Sequence, residues 1–93
     1  HSEKCEHFVD LHRLALIERV KETEAILDRL LEKSMISDEV YGEVRRLETT
    51  QKKMREILKH VTAAGNQAKS IFMEILKGIP ALKLLMDELS GLH

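Results

Sequence analysis

A chain of 93 residues with 43% hydrophobic and 33% charged residues reads as one domain with one modest core, because folding at this size buries about 60% of the unfolded surface, and it is too apolar for a disordered segment. Fifteen Lys and Arg against sixteen Asp and Glu give a net charge of −1, which excludes a bulk basic field for nucleic acid and leaves electrostatic function to local segregation of charge. One proline, four glycines and three aromatic residues, none of them Trp, exclude a many-turned β fold and call for a core of aliphatic residues and Met.

The ordered chain opens with HFVDLHRLALIERV (7–20). The stretch is too apolar for a loop, yet its apolar residues do not line up on one straight helix. At about 100° per residue, Phe8, Leu11 and Ala15 share one side, Val9, Leu16 and Val20 point elsewhere, and Ile17 lies opposite Phe8. A first helix over 8–21 that breaks near 13–15 resolves the conflict, with Phe8 and Leu11 facing inward first and Leu16, Ile17 and Val20 after the break. Pro, Gly or a π-bulge normally causes a kink, and the sequence shows none of these here.

Thr23 is the expected N-cap of a second helix to about 33, with Ala25, Ile26, Leu27, Leu30 and Leu31 on its apolar side. Ser37 caps the third helix. Asp38 and Glu39 follow where carboxylates favour the helix dipole, and Ile36 and Tyr41 stand at the positions of a hydrophobic staple. Val40, Val44 and Leu47 form its inner face. Thr49 or Thr50 caps the fourth helix, whose stripe is Met54, Ile57, Leu58 and Val61. Gly65 and Asn66 break the chain before a fifth helix carrying Ala68, Ile71, Phe72, Ile75 and Leu76 at helical spacing. Gly78 suits a C′ position and Pro80 the first turn of a sixth helix, with Leu82, Leu85, Met86 and Leu89 inward and Gly91 at its end. Connections of a few residues make neighbours antiparallel. The expected fold class is all-α, a six-helix antiparallel bundle with a kinked first helix.

Catalytic signatures are missing: no G-x-S-x-G, P-loop, H-E-x-x-H or C-x-x-C occurs. Cys5, His7 and His12 match no standard zinc spacing, and Cys5 lacks a convincing activating partner. No catalytic, cofactor or metal site is expected. Met35, Met54, Met73 and Met86 sit on or beside different helices and read as core filling rather than a binding groove. The single cysteine fits a reducing, cytoplasmic setting. No signal peptide and no run of 18 apolar residues is visible.

Charge is segregated. Glu24, Asp28 and Glu32 recur every four residues on the second helix, an acidic stripe made of mutually repelling neighbours. Arg13 and Arg19 on the first helix and Lys52, Lys53 and Arg55 on the fourth are basic. A domain with separate acidic and basic patches can bind a copy of itself head to tail, a heterologous contact that closes into a ring or propagates as a filament. The alternative is an ordinary solvated surface.

The runs HFVDLHRLALIERV, AILDRLLEKSMISDEVYGEV and KMREIL, in this order and spacing, resemble a caspase recruitment domain (CARD), most of all the C-terminal CARDs of inflammasome adaptors of the ASC type and of NLR-type sensors. The resemblance covers about 7–91, with 1–6 read as a tail or an expression remnant and 92–93 as a C-terminal tail. It implies the Greek-key death-domain fold with a kinked first helix. It further implies a non-enzymatic module that binds other CARDs: itself, an adaptor, a sensor or an inflammatory caspase. Arg13, Arg19 and Arg55, with Lys53 beside them, match the family's basic surface, and Glu24 and Asp28 its acidic one. Asp10, Asp38, Glu39 and Tyr41 also fall on family positions, and Asn66 keeps a polar group where a second contact surface is expected.

Two departures qualify what the resemblance implies. The segment KHVTAAGNQA lacks the aromatic residues of that second surface, and Glu56 stands where adaptors are basic. The expected state is a homo-oligomer or filament. The alternative is a single-sided or capping CARD that binds an adaptor or caspase and stops. Nucleic acid and membrane are not expected partners.

Overall fold

The structure, a computed structural model, describes residues 8–91. Among them the expected first helix is split into α1 (Phe8–Leu11) and α2 (Arg13–Arg19). The break falls at His12, one residue before the expected stretch. His12 has φ −109° and ψ 23°, in the sparsely occupied bridge region beside the helical basin. Its N–H still donates to the Phe8 carbonyl at 3.0 Å, and its own carbonyl accepts from the Leu16 N–H at 2.9 Å. The two halves have different supports: α1 packs on α6 (Asn66–Lys77) and α2 on α5 (Thr50–Ala63).

Burial corrects the expected inner face of this segment. Leu16, Ile17 and Val20 are buried as expected, but Val9 is buried at 1% exposure and Leu11 is 62% exposed. Val9, Leu16 and Val20 lie within about 40° of one another on a helical wheel. One inner face therefore runs through the break, and Leu11 and Leu14 are left outside it.

In α3 (Thr23–Glu32), Glu22 takes the cap position without a side-chain capping bond, and Thr23 is the first helical residue. Thr23 is buried because it shares the inner face with Ile26, Leu27 and Leu30 at positions i+3, i+4 and i+7. For α4 (Asp38–Arg45) the Ser37 hydroxyl oxygen accepts the Val40 N–H at 3.2 Å. Ile36 is in the core, and Tyr41 packs against it. For α5 the Thr49 hydroxyl oxygen accepts the Lys52 N–H at 3.1 Å, and Met54, Ile57, Leu58 and Val61 are all buried.

Gly65 precedes α6 at φ +101°, a conformation that favours glycine. Ala68, Phe72, Ile75 and Leu76 are buried, and Ile71 packs beside them. Gly78 is not a left-handed C′ residue; at φ −82° it ends the helix in the αR region, its N–H bonded to the Glu74 and Ile75 carbonyls. Pro80 opens a 3-10 turn (Pro80–Leu82) rather than the last helix, which begins later as α7 (Lys83–Leu89).

The core sits on α5 and α6. α5 touches α2, α3, α4 and α6, and α6 touches α1, α3, α5 and α7. Phe72 is fully buried among Leu16, Ile26, Leu27, Leu30, Met54, Leu58 and Leu76 in one cluster. Each such side chain stabilises the fold by about 1.5–3 kcal/mol. Met54 and Met86 lie in this core, and Met35 and Met73 pack against it.

Candidate protein-binding surfaces

Packing α2 against α5 forms an open groove of about 580 Å³, lined by Asp10, Arg13, Arg55, Glu56, Lys59, Thr62 and Ala63. Two of the expected basic residues, Arg13 and Arg55, meet here. Lys59 joins them one helical turn beyond Arg55. Sequence reasoning missed Lys59, although its i+4 spacing from Arg55 was the available signal. Arg13, Arg55 and Lys59 have no ion-pair partner among the described residues. Among the described residues these three exposed cations have no counter-ion, which leaves their N–H donors open to carboxylates.

Asp10 has an internal duty. Its carboxylate accepts from the Lys69 ammonium at 2.6 Å, and the Lys69 side chain is only 10% exposed. A nearly buried ammonium needs such a counter-ion, so the pair ties α1 to α6. Glu56 stands on the groove wall and lies 4.0 Å from His60 Nε2.

Other expected residues fall elsewhere. Arg19 does not line the groove; its guanidinium donates to Glu88 of α7 at 2.6 Å. Lys53 stands about 200° round α5 from Arg55, is half-buried, and does not line the groove. Lys52 pairs with Glu48 at 3.8 Å.

The acidic residues form a second surface where α3 packs on α4. Glu24 and Asp28 are exposed one turn apart on α3. Across from them, the Tyr41 hydroxyl donates to Asp28 Oδ1 at 2.5 Å, and Arg45 lies 3.7 Å from Glu24 Oε2. The Arg45 guanidinium also sits 5.6 Å from the centre of the Tyr41 ring, within cation–π range. The bond to Asp28 first, then burial and the nearby carboxylate charge, push the Tyr41 phenol above its ordinary 10.0. Asp38 and Glu39 are exposed in the first turn of α4. Asn66 is exposed at the start of α6 and belongs to neither surface.

Cys5 and His7 lie outside the described residues. Among the described residues no three His, Cys, Asp or Glu side chains come together as a metal site, and no helix is long and apolar enough to cross a membrane.

Residues 6–91 match the profile of the caspase recruitment domain family. The chain is 43% identical over 84 residues to the apoptosis-associated speck-like protein containing a CARD of Danio rerio, covering 89% of this chain and 40% of that protein. Identity to the Mus musculus protein of the same name is 40% over 81 residues, 87% of this chain and 41% of that protein. A NACHT, LRR and PYD domains-containing protein 1b of Mus musculus (allele 5) is 34% identical over 86 residues, 91% of this chain and 7% of that protein. The chain thus spans about two fifths of the speck-like relatives and a small part of the NACHT protein.

Proposed function

The chain belongs to the caspase recruitment domain family, whose death-domain-fold modules bind one another and do no chemistry of their own, and from that premise we propose that it assembles an inflammasome-type signalling complex and recruits a pro-inflammatory caspase. The module is residues 7–91, and it works in the cytoplasm. The basic groove of α2 and α5 receives the acidic face of α3 and α4 from a neighbouring CARD. The two surfaces differ, so the contact is heterologous and each added subunit offers a fresh groove.

One observation carries this reading. Arg13, Arg55 and Lys59 share a groove and have no ion-pair partner among the described residues, while Glu24, Asp28 and Glu32 recur once per turn on α3. Exposed ion pairs contribute about 0–1 kcal/mol each. Affinity therefore accumulates over several contacts, and the charges chiefly set specificity and association rate. Arg13→Glu and Asp28→Arg each abolish self-association with unchanged helicity by circular dichroism. Assembly of both variants at the wild-type concentration would overturn the reading.

A second reading is a single-sided CARD that binds an adaptor or caspase without polymerising. It is favoured by the segment that ends α5 and opens α6, where 59–68 hold no Phe, Tyr or Trp and Asn66 stands outside both charged surfaces. Negative-stain microscopy separates the two: filaments support the first, persistent monomers the second.

A further inference from the structure

Neither charged surface is uniform. Glu56 stands beside Arg55 in the basic groove, and Arg45 lies 3.7 Å from Glu24 on the acidic face. Left unmatched, each would oppose the contact: Glu56 would face incoming carboxylates and Arg45 would face the groove's cations.

The helical register removes the conflict. Arg55 and Lys59 rise one turn apart, about 6 Å, and Glu24 and Asp28 rise by the same amount. Laying one pair on the other sets Glu24 against Arg55 or against Lys59, depending on direction. Glu56 adjoins Arg55 in sequence and lies one turn from Lys59. Of the two directions, the one that turns the α4 side of the acidic face toward Glu56 brings Arg45, beside Glu24, to it.

The ground next to Glu56 suits an arginine. A cleft of about 140 Å³ there is lined by Glu43, Val44, Leu47 and Glu56. Its apolar wall fits the methylene stem, and a second carboxylate can share the guanidinium. Glu56 and His60 are 4.0 Å apart and both partly exposed, a weak contact that leaves Glu56 free to take a stronger partner.

We propose that Glu56 of one copy pairs with Arg45 of the next, and that this inverted pair makes a second copy of this chain the preferred occupant of the groove. The inference rests on the head-to-tail reading above. It also gives Glu56 a purpose: a CARD whose acidic face lacks the matching cation meets a carboxylate there.

The test is sedimentation velocity of the wild type, Glu56→Lys, Arg45→Glu and the double variant, with folding checked by circular dichroism. Glu56→Gln and Arg45→Gln replace any reversal that unfolds the domain. Each single reversal raises the concentration needed for assembly by about tenfold, equivalent to about 1.4 kcal/mol. The double variant returns close to the wild type. Mixing the two single variants restores assembly, because in alternating order every contact is either Glu–Arg or Lys–Glu. If neither the double variant nor the mixture recovers while Asp28→Arg still blocks the wild-type contact, the Arg45–Glu56 pair is wrong and the head-to-tail reading stands. A wild type that stays monomeric, or an Asp28→Arg variant that assembles normally, overturns both.

Discussion

Arg19 and Glu88 are 69 residues apart in sequence, and their side chains meet at 2.6 Å, closing α2 onto α7. The arginine expected on the partner-binding surface is thus already engaged within its own fold. Both side chains are roughly half exposed, so Glu88→Gln costs at most about 1 kcal/mol in urea unfolding. Arg19→Glu weakens self-association less than Arg13→Glu, which acts on a cation with no internal partner. Equal losses at the two positions would return Arg19 to the contact surface.

Val9 and Leu11 reverse the roles that the pattern of the first helix suggests. Val9→Ala removes a buried side chain and lowers stability by about 1–3 kcal/mol. Leu11→Gln changes an exposed position and stays within about 0.5 kcal/mol of the wild type. Chemical denaturation of the two variants checks both, and a large loss at Leu11 would place the break elsewhere.

This contrast marks what a linear reading of the chain can reach. Ser37 and Thr49 were legible as caps because a cap bonds within three residues of itself. The stripe of Met54, Ile57, Leu58 and Val61 was legible because period and burial coincide along one helix. Within the first helix, apolar residues occur on both sides of the wheel. Choosing the inner side requires knowing that α1 rests on α6 and α2 on α5, which is tertiary information. Thr23 was misplaced because a buried threonine at the first helical position looks like a capping one. Lys69 does not stand out in the sequence; it stands three residues before Phe72 and seven before Leu76, on the inner face, and its counter-ion Asp10 is 59 residues away. Arg13 and Arg55 were expected together from charge spacing, as were Glu24 and Asp28, and each pair does share one surface of the fold. Arg19 and Lys53 lie off the groove, because an internal partner or a position round the helix places them elsewhere.

Lys69 and Asp10 supply a stability test of that buried geometry. Asp10→Asn leaves an ammonium at 10% exposure without its carboxylate and costs about 2 kcal/mol. Adding Lys69→Met to Asp10→Asn recovers part of the loss, because the uncompensated charge is gone. An additive double variant in a thermodynamic cycle would contradict the pairing.

Tyr41 is the only tyrosine in the chain, so its phenolate absorbance reads a single site. Its bond to Asp28 holds the phenol above 10.0. Because the folded value is raised, the bond's stabilisation is present below pH 10 and is lost as pH rises through the folded value. The titration midpoint of the wild type lies above 10.0, and Asp28→Ala brings it back down. An unmoved midpoint would separate Tyr41 from the acidic face.

The head-to-tail contact itself is tested most directly by mixing two disabled copies. Arg13→Glu damages the groove and keeps the acidic face; Asp28→Arg damages the face and keeps the groove. At about 0.15 M salt, where exposed charges act over about 8 Å, each variant alone sediments as a monomer. An equimolar mixture holds one intact groove and one intact face, and it forms dimers that grow no further. A mixture that stays monomeric while the wild type assembles, or variants that each assemble alone, would contradict the contact between α2–α5 and α3–α4.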